Sequence, residues 1–354
     1  MRVNDTLEMI ISGAVPTKEE LTEIIDTFAR GGEVAAQLYE RARSCAEAVR
    51  DEHYGRRVFL RGLVEFTSYC KNNCYYCGLR RDNKNAERYR LTKEQILECC
   101  DYGASLGFHT FVLQGGEDAY FTDERLCDIV HSIKSAHPDC AVTLSVGERS
   151  LESYKSLREA GADRYLLRHE SATDEHYARL HPESLTLENR KRCLYDLKSL
   201  GYQVGAGFMV GSPYQTSENL ANDLLFLCEL QPQMVGIGPF IPHRDTPFGE
   251  KSAGALEMTL FMLALTRLML PKVLLPATTA LGTIAEDGRE RGVLAGANVV
   301  MPNLSPINVR KKYLLYNDKL CSGDETAEHI KELEERFKKI NCVLDMSRGD
   351  SKNI

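Results

Sequence analysis

From residue 58 onward the sequence alternates short apolar runs with helical stretches, and the apolar runs number eight. They span residues 58–66, 110–113, 141–145, 164–167, 203–210, 234–237, 273–275 and 297–301. Strands that alternate with helices predict a parallel sheet whose faces are covered by helices, which is the α/β class. A count of eight favours closure into a (β/α)8 TIM-type barrel, although an open, partial barrel would need only six.

The sequence divides into three predicted regions. Residues 1–54 have helical periodicity and form an N-terminal helical extension that we expect to pack on the outside of the catalytic body. Residues 55–316 form the barrel. Residues 317–354 form a C-terminal region, with an amphipathic helix predicted over residues 326–341 and a frayed tail over residues 347–354.

Composition and charge exclude several classes of protein. The net charge is −7 and no block of lysine and arginine occurs, which argues against nucleic acid as a partner. No apolar run reaches about 18 residues, so no membrane span is expected; residues 256–275 come closest. The first residues lack the layout of a signal peptide, and twelve cysteines without such a signal predict a reducing, cytoplasmic location rather than a disulfide framework.

Three cysteines follow the first predicted strand at the spacing C-x3-C-x2-C: Cys70, Cys74 and Cys77. Three thiolates can bind three irons of a 4Fe–4S cluster and leave the fourth iron open to a small molecule, whereas ferredoxin-type clusters use four cysteines. Structural zinc also requires four ligands, and no second C-x2-C pair occurs. The structural alternative is chance proximity of three core cysteines, but core cysteines normally lie within apolar runs, and this loop is polar.

Distinctive side chains lie at or just beyond the carboxyl ends of the predicted strands: Gln114, Arg168, Glu170, Thr278 and Met301. In (β/α)8 barrels that end carries the active site, because the loops that follow the strands converge there. The cysteine loop follows the first strand, so a cluster bound to it would lie at the same mouth. These features predict one site at the carboxyl end of the barrel.

The cysteine spacing, with the aromatic Tyr76 before the last cysteine, resembles the signature of the radical S-adenosylmethionine (SAM) enzymes. Further stretches resemble the HydE family, which are maturases of FeFe-hydrogenase. These stretches are residues 77–83, 113–118, 164–170, 234–243 and 276–280. The resemblance covers about residues 58–316, and biotin synthase and methylornithine synthase share the general layout.

The resemblance implies a role for individual residues. The residues implied to hold SAM are Tyr76, Gly115, Gly116, Glu117, Arg168, Glu170 and Arg190. Those implied to line the substrate chamber are Gln114, Thr143, Met234, Thr278, Thr279, Met301, Tyr313 and Tyr316. Structural alternatives exist for several of them: a tight turn for the two glycines, a rim ion pair for the charged residues after the fourth strand, and ordinary barrel core for the two methionines.

The implied cofactors are one 4Fe–4S cluster and SAM. Some HydE proteins carry a second iron–sulfur cluster on a C-terminal group of three cysteines. Here Cys321 matches the first of the three, but residues 322–330 contain no cysteine and Cys342 is too distant. We therefore predict that the second cluster is absent.

The first functional hypothesis follows from the resemblance. It implies an enzyme that cleaves SAM reductively to a 5′-deoxyadenosyl radical during maturation of the FeFe-hydrogenase di-iron centre. The implied substrate is a small iron complex with carbonyl, cyanide and cysteine ligands, supplied by the maturase HydG, and the product passes toward the scaffold HydF. The implied reductant is a carrier such as ferredoxin or flavodoxin.

Two further hypotheses compete with the first. One is another radical SAM reaction on an amino-acid-like substrate, as in methylornithine synthase or biotin synthase. Biotin synthase needs additional cluster ligands inside the barrel, where this sequence offers Thr143, Met234 and Thr278 instead. The other is a non-catalytic iron–sulfur or zinc carrier, which predicts a metal centre without SAM cleavage; Arg168 and Glu170 at a strand end count against it.

Overall fold

The computed structural model describes residues 3–321 and 326–353. The strands are β1 (Arg57–Leu60), β2 (Gly62–Thr67), β3 (Thr110–Gly115), β4 (Ala141–Ser145), β5 (Arg164–Leu166), β6 (Gln203–Val210), β7 (Met234–Pro239), β8 (Val299–Val300) and β9 (Val343–Asp345). The first helices are α1 (Val3–Ile11), α2 (Lys18–Ala29), α3 (Gly32–Tyr54), α4 (Lys93–Ser105), α5 (Asp123–Ala136), α6 (Leu151–Glu159) and α7 (Asp174–Leu180). The later helices are α8 (Leu187–Ser199), α9 (Ser217–Leu230), α10 (Leu256–Met269), α11 (Thr279–Ile284), α12 (Gly288–Leu294), α13 (Ile307–Arg310) and α14 (Ile330–Lys339).

The strands close into a barrel. Strands β2 to β7 form a parallel sheet in chain order, and β1, which is separated from β2 only by Arg61, pairs in parallel with β8. The gap is closed by isolated parallel bridges from β7 to Leu274, from Pro276 to β8, and from Leu63 to Asn303. The predicted (β/α)8 architecture is confirmed, although the seventh predicted strand is reduced to single bridges on either side.

Side-chain caps set the start of several helices and so limit the loops that precede them. Thr92 caps α4 in a capping box with Gln95, and Thr216 caps α9 in the same way with Asn219. Each cap satisfies an amide that the helix itself leaves without a partner. The barrel strands are almost wholly buried, as expected for a parallel sheet covered by helices.

The N-terminal extension packs on α10. This helix contacts β7 on one side and α1 and α3 on the other, and eleven of its residues are buried. Phe28 of α2 stacks on Phe261 of α10, with ring centroids 4.3 Å apart. Burial on both sides explains why this helix is apolar all round. No helix among the described residues is both long and apolar enough to cross a membrane.

The prediction of a frayed tail over residues 347–354 is wrong as far as the described residues extend. Asp350 accepts a hydrogen bond from Arg164 at 2.6 Å, the Ser351 hydroxyl donates to the Lys272 carbonyl, and β9 pairs with β1. The tail crosses the amino ends of the barrel strands, where the buried guanidinium of Arg164 requires a charged partner. The predicted helix over residues 326–341 is shorter, with a 3-10 turn at Ala327–His329 leading into α14.

Candidate active site

The cysteine loop follows β2 and is fixed at both ends by backbone hydrogen bonds to distant parts of the chain. The Lys71 amide donates to the Glu117 carbonyl, and the Gly78 amide donates to the Leu315 carbonyl, each at 2.8 Å. The half-buried, unpaired cysteines of the loop are Cys70, Cys74 and Cys77. The loop therefore presents its thiols from a backbone that neighbouring loops hold in place.

Arg88 organises the chain directly after the last cysteine. Its guanidinium donates to the carbonyl oxygens of Leu79 at 2.9 Å, Arg80 at 2.7 Å and Asn83 at 3.3 Å, and also to that of Ser68 before the first cysteine. One side chain thus ties the two ends of the loop together. The sequence analysis did not identify Arg88, because no spacing rule connects it with those carbonyls.

Burial raises the pKa of all three thiols, to about 12 at Cys77. After burial, the pKa of Cys74 is raised most by the other two thiols of the loop. Among the described residues, no three cysteine, histidine or acidic side chains are grouped closely enough to hold a single metal ion, so this loop would suit a cluster of several irons rather than one ion. Glu117 acts on Cys74, and Glu170 acts on Cys77, in the same direction. Three thiolates in this position need a compensating cation, and a metal centre provides one.

Tyr76 is held by His181, a residue that the sequence analysis missed. The pKa of His181 is lowered to about 3 by burial and by the charge of Arg190, so its ring is neutral. Its Nδ1 lies 2.9 Å from the Tyr177 carbonyl and must donate to it, which leaves Nε2 to accept from the Tyr76 hydroxyl at 3.2 Å. This pairing fixes the ring before the last cysteine.

The two glycines at the end of β3 lie directly against the cysteine loop. A Cβ added at Gly116 would lie 2.2 Å from the Tyr69 carbonyl oxygen and 2.7 Å from Cβ of Cys70. A Cβ at Gly115 would lie 2.6 Å from a methyl carbon of Thr67. Glycine is required here for close approach of two loops, which is more than an ordinary tight turn demands.

Glu117 follows the glycines and keeps one carboxylate oxygen available. Its Oε1 accepts from the Glu148 amide at 3.0 Å. Its Oε2 is buried and 3.3 Å from Nζ of Lys71, but it has no hydrogen-bond partner among the described residues. The carboxylate is therefore positioned by the protein yet only half satisfied.

Arg168 and Glu170 lie just beyond β5 and face each other. Arg168 Nη2 and Glu170 Oε2 are 3.0 Å apart, but both atoms, together with Arg168 Nε, lack a properly aligned hydrogen bond within the described chain. Glu170 also has a φ of +64°, a conformation that costs a non-glycine residue roughly 1–2 kcal/mol. Its amide donates to the Gly207 carbonyl at 3.0 Å, which holds the strained backbone.

Arg190, on α8, is tied into the rim of the barrel. Its Nε donates to Oε1 of Glu148 at 2.6 Å and its Nη1 to the Arg168 carbonyl at 2.5 Å. Asn189 donates to the other oxygen of Glu148. Two of the three guanidinium nitrogens thus bind protein groups, so Arg190 positions its neighbours as well as any ligand.

Two threonine hydroxyls are buried without partners in the described part of the chain. They are Oγ1 of Thr143, in β4, and Oγ1 of Thr278, the residue before α11. Gly238 makes room for Thr278, since a Cβ there would lie 3.0 Å from that hydroxyl. Thr279 differs, because its hydroxyl accepts from Arg289 at 3.4 Å.

The two methionines of the predicted substrate chamber belong to an apolar cluster. Met234 is buried with Leu274 and Val299, and Met301 packs against the same cluster. The Met234 sulfur also accepts from Arg61 at 3.0 Å. These contacts favour the barrel-core interpretation of both residues, and a role in binding substrate stays a prediction.

Gln114 and Tyr313 meet at the seam between β3 and the segment after α13. Burial raises the pKa of Tyr313, and the nearby Gln114 side chain opposes this rise, while Nζ of Lys319 lies 5.1 Å from the Tyr313 ring. The same ammonium binds Glu65 at 2.6 Å, and Asn303 donates to the other oxygen of Glu65 at 2.8 Å. The sequence analysis missed Glu65, Lys319 and Asn303. The half-buried Tyr316 lies on the same segment.

Comparison with known proteins identifies the family to which this chain belongs. The family model of the Radical SAM superfamily matches residues 64–227. The chain is 48% identical to the [FeFe] hydrogenase maturase subunit HydE of Thermotoga maritima over 305 residues, which are 86% of this chain and 85% of that protein. The chain belongs to the HydE family of the radical SAM superfamily.

More distant relatives share the architecture of this HydE-family protein. The 3-methylornithine synthase of Methanosarcina acetivorans is 29% identical over 344 residues, covering 97% of this chain and 91% of that protein. The crystal structure of methylornithine synthase (PylB) superposes with a TM-score of 0.78 at 28% identity, covering 96% of this chain and 97% of that one. The protein is therefore a radical SAM enzyme, and its family uses a 4Fe–4S cluster and SAM.

The residues present fit those two cofactors and a polar substrate. Half of the buried side-chain atoms without hydrogen-bond partners in the described chain lie on residues predicted to bind SAM or substrate: Glu117, Thr143, Arg168, Glu170 and Thr278. Such atoms are rare in native proteins, because each one costs free energy unless a partner is supplied. A bound polar ligand supplies those partners. Residues 322–325, on which part of the second-cluster prediction depends, lie outside the described residues.

Proposed function

We propose that this enzyme cleaves SAM reductively at one 4Fe–4S cluster to a 5′-deoxyadenosyl radical, and that it acts in maturation of the FeFe-hydrogenase di-iron centre. The observation that carries the first part is the meeting of the three-cysteine loop with the unsatisfied Glu117, Arg168 and Glu170 at one mouth of the barrel. The identity with HydE over most of both chains supports the second part.

Arg168 and Glu170 suit the methionine end of SAM. That end is zwitterionic, with a carboxylate beside an ammonium group, and a guanidinium and a carboxylate with unused hydrogen-bonding atoms complement it. Arg168 would grip the carboxylate with two parallel N–H groups. Glu117 and Glu170 would accept from the ammonium group and from a ribose hydroxyl. The Tyr76 ring, held by His181, would lie beside the adenine end.

When bound, the cluster supplies an iron with an open coordination position and the electron that breaks the sulfonium C–S bond of SAM. The residues of the chain would position these cofactors. Gly116 brings the loop after β3 into contact with the cysteine loop, and the strained backbone of Glu170 directs its carboxylate to the same mouth. Enclosure in a barrel limits access of water and of other groups to a reactive radical.

The substrate in this proposal is a small iron complex with carbonyl, cyanide and cysteine ligands. It would be supplied by HydG, and the product would pass toward HydF. Ligands of this kind accept hydrogen bonds, and the unpartnered hydroxyls of Thr143 and Thr278 can donate them inside the barrel. Gln114 and Tyr313 form the neighbouring wall. We further propose that the protein carries no second cluster.

The test is anaerobic reconstitution with iron and sulfide, reduction, and addition of SAM. We expect about four irons per chain, an EPR signal that changes when SAM is added, and release of 5′-deoxyadenosine. About eight irons would reject the absence of a second cluster. Zinc in place of iron, or a cluster that does not respond to SAM, would reject radical SAM chemistry in this chain and favour a carrier.

A matched pair of variants assigns the cluster to the loop. Cys74→Ala should abolish both the cluster spectrum and SAM cleavage, because only two thiolates of the loop remain. Cys228→Ala, at a half-buried cysteine of α9, should leave both unchanged. Retained cleavage in Cys74→Ala would contradict the assignment.

A second candidate function is a reaction on an amino-acid-like substrate. This candidate is supported by the similarity to 3-methylornithine synthase over 97% of this chain and by the TM-score of 0.78 to PylB. The two candidates are separated by incubating the reduced enzyme and SAM either with the cysteine-ligated iron complex or with a panel of free amino acids. Consumption of an amino acid together with 5′-deoxyadenosine release would favour this second candidate.

A further inference from the structure

A tyrosine beside the cysteine loop carries a buried hydroxyl that no group of the described chain binds. Tyr177 lies on α7 and is 1% exposed, and its Oη has no hydrogen-bond partner among the described residues. Such atoms are rare in native proteins, because a buried hydroxyl without a partner costs free energy. The sequence analysis missed this residue. A bound ligand is the partner that its hydroxyl requires.

The end of α7 is attached to the cysteine loop. The Tyr75 amide donates to the Leu180 carbonyl at 3.0 Å, and the Tyr76 hydroxyl donates to Nε2 of His181 at 3.2 Å. Nδ1 of His181 donates in turn to the Tyr177 carbonyl at 2.9 Å, and the rings of these two residues stack with their centroids 4.0 Å apart. Tyr177 is therefore held in a fixed orientation against the loop that carries the cysteines.

The hydroxyl of Tyr177 lies among the charged groups of the proposed cofactor site. Burial raises the pKa of Tyr177, and the charge of Arg190 opposes this rise. The groups that add to the rise are Glu148, Cys74 and Glu170. The guanidinium carbon of Arg190 lies 6.0 Å from the centre of the Tyr177 ring. The phenol stays protonated in this environment, so it can donate a hydrogen bond to a ligand.

The acidic groups near this hydroxyl do not bind it. Oε1 of Glu148 accepts from Arg190 at 2.6 Å, and Oε2 accepts from Asn189 at 2.6 Å. Oε2 of Glu170 is itself buried without a hydrogen-bond partner in the described chain, so it and the Tyr177 hydroxyl do not bind each other. One ligand placed between these groups would satisfy both.

The methionine carboxylate is the part of SAM that suits this donor. A positive guanidinium beside the hydroxyl favours an anionic group there over the ammonium group of SAM. A carboxylate has about four lone-pair sites. The two N–H groups of Arg168 and the open iron would use three of them. The Tyr177 hydroxyl can fill the fourth, and a hydrogen bond to an ionised acceptor is stronger than one between neutral groups.

We propose that Tyr177 is a SAM-binding residue whose hydroxyl donates to the methionine carboxylate. The inference rests on the proposed function, because it requires SAM as the ligand. It adds a residue of α7 to a site otherwise built from the cysteine loop, the ends of β3 and β5, and α8. No bond forms or breaks at Tyr177.

The first measurement is urea unfolding of the chain without SAM or cluster, under reducing conditions, for Tyr177→Phe and a matched control. The control is Tyr202→Phe, because Tyr202 is 4% exposed and its hydroxyl donates to the Tyr154 carbonyl at 2.7 Å. The control should lower the urea midpoint, since it leaves that carbonyl without its partner. Tyr177→Phe removes a hydroxyl that has no partner, so the midpoint should stay unchanged or rise.

The second measurement is the Kd of SAM for the reconstituted enzymes, by anaerobic calorimetry. Tyr177→Phe should raise this Kd at least about ten-fold, because it removes a hydrogen bond to a charged group. Tyr202→Phe should leave it unchanged. Iron content and the EPR spectrum before addition of SAM should match the wild type in both variants. Weaker SAM binding without loss of stability is a combination that a merely structural role of Tyr177 does not produce.

A SAM analogue without its carboxylate identifies the group that the hydroxyl binds. Decarboxylated SAM should bind to the wild type and to Tyr177→Phe with the same Kd, because the acceptor of the hydrogen bond is absent from it. An equal loss of affinity for SAM and for decarboxylated SAM would overturn the assignment to the carboxylate.

Other outcomes would remove Tyr177 from the SAM site. One is an unchanged Kd of SAM in Tyr177→Phe, and another is an EPR spectrum altered before SAM is added, which would place the hydroxyl against the cluster. Release of 5′-deoxyadenosine by the wild type, together with either result, would reject this inference alone. If the wild type bound no SAM and released no 5′-deoxyadenosine, the proposed function itself would be rejected.

Discussion

Replacing Lys319 with methionine should destabilise the folded chain by about 3–5 kcal/mol, the usual cost of removing one partner of a buried ion pair. Nζ of Lys319 lies 2.6 Å from Oε1 of Glu65, and the two side chains are 6% and 0% exposed. Methionine keeps the length of the lysine stem but not the charge. Glu65 would then be a buried carboxylate whose described side-chain partner is Asn303, at 2.8 Å.

We attribute the loss of stability in Lys319→Met to the unpaired charge of Glu65 rather than to lost packing, and a double variant separates these two contributions. Glu65→Gln alone leaves the Lys319 ammonium buried without a carboxylate and should cost a similar amount. In Glu65→Gln/Lys319→Met no buried charge remains, and the glutamine oxygen can still accept from Asn303. The double variant should therefore be less destabilised than either single variant, which gives a coupling energy of more than about 1 kcal/mol.

The assay is urea unfolding of the chain without its cluster, under reducing conditions, with the m-value compared across the four proteins. The matched control is Lys338→Met, at a lysine that is 62% exposed and pairs with Glu334 at 2.8 Å. Because exposed pairs contribute little, this control should change the free energy of unfolding by less than about 1 kcal/mol. If Lys319→Met were as stable as Lys338→Met, the buried-charge reasoning would be refuted.

Three further predictions concern the active site. Arg168→Lys should spare the cluster spectrum yet weaken SAM binding, measured by the EPR response, because a single ammonium cannot replace the two parallel N–H groups of a guanidinium; unchanged affinity would remove Arg168 from the site. Gly116→Ala should lower iron incorporation, since its Cβ would lie 2.2 Å from the Tyr69 carbonyl oxygen, whereas Gly236→Ala, with its nearest neighbour at 3.7 Å, should not; equal iron content in both would contradict the steric argument. Burial lowers the pKa of His181 to about 3, so the folded protein stays neutral there while the unfolded chain binds a proton below about pH 6.5. The contribution of His181 to stability should therefore fall by about 2 kcal/mol between about pH 6.5 and about pH 5, and in urea unfolding His181→Gln should lose this part of the dependence of stability on pH; the same dependence in the variant and the wild type would show that His181 is protonated in the folded state.

Much of the barrel could be predicted because its strands have local patterns. Seven of the eight predicted runs contain strands of the structure. The run over residues 273–275 is the exception, because its backbone makes only isolated bridges to its neighbours. The tail over residues 347–354 was misjudged because its polar sequence is typical of a disordered end. Its order depends on the guanidinium of Arg164, a residue far away in the chain.

The residues of the candidate site were likewise predicted only in part from the sequence. We identified the glycines at the end of β3 and the charged residues after β5 because motifs of fixed spacing carry them, and the structure brings both to the cysteine loop. Arg88, His181 and the pair of Glu65 with Lys319 were not identified. Arg88 binds carbonyl oxygens on both sides of the cysteine loop, His181 binds Tyr76, and Lys319 binds Glu65. No periodicity or spacing in the sequence marks such contacts.

By itself the sequence determined the alternation of strands and helices, the three-cysteine loop, and the polar residues at the strand ends, because each depends on residues that are close along the chain. The tertiary structure decided how the barrel closes, how its amino end is covered by the tail, and which buried charges are paired. Glu65 and Lys319 are 254 residues apart and meet only when β2 and the segment after α13 lie side by side. A buried charge requires a partner wherever the fold can supply one, and only the closed barrel determines which residue that is.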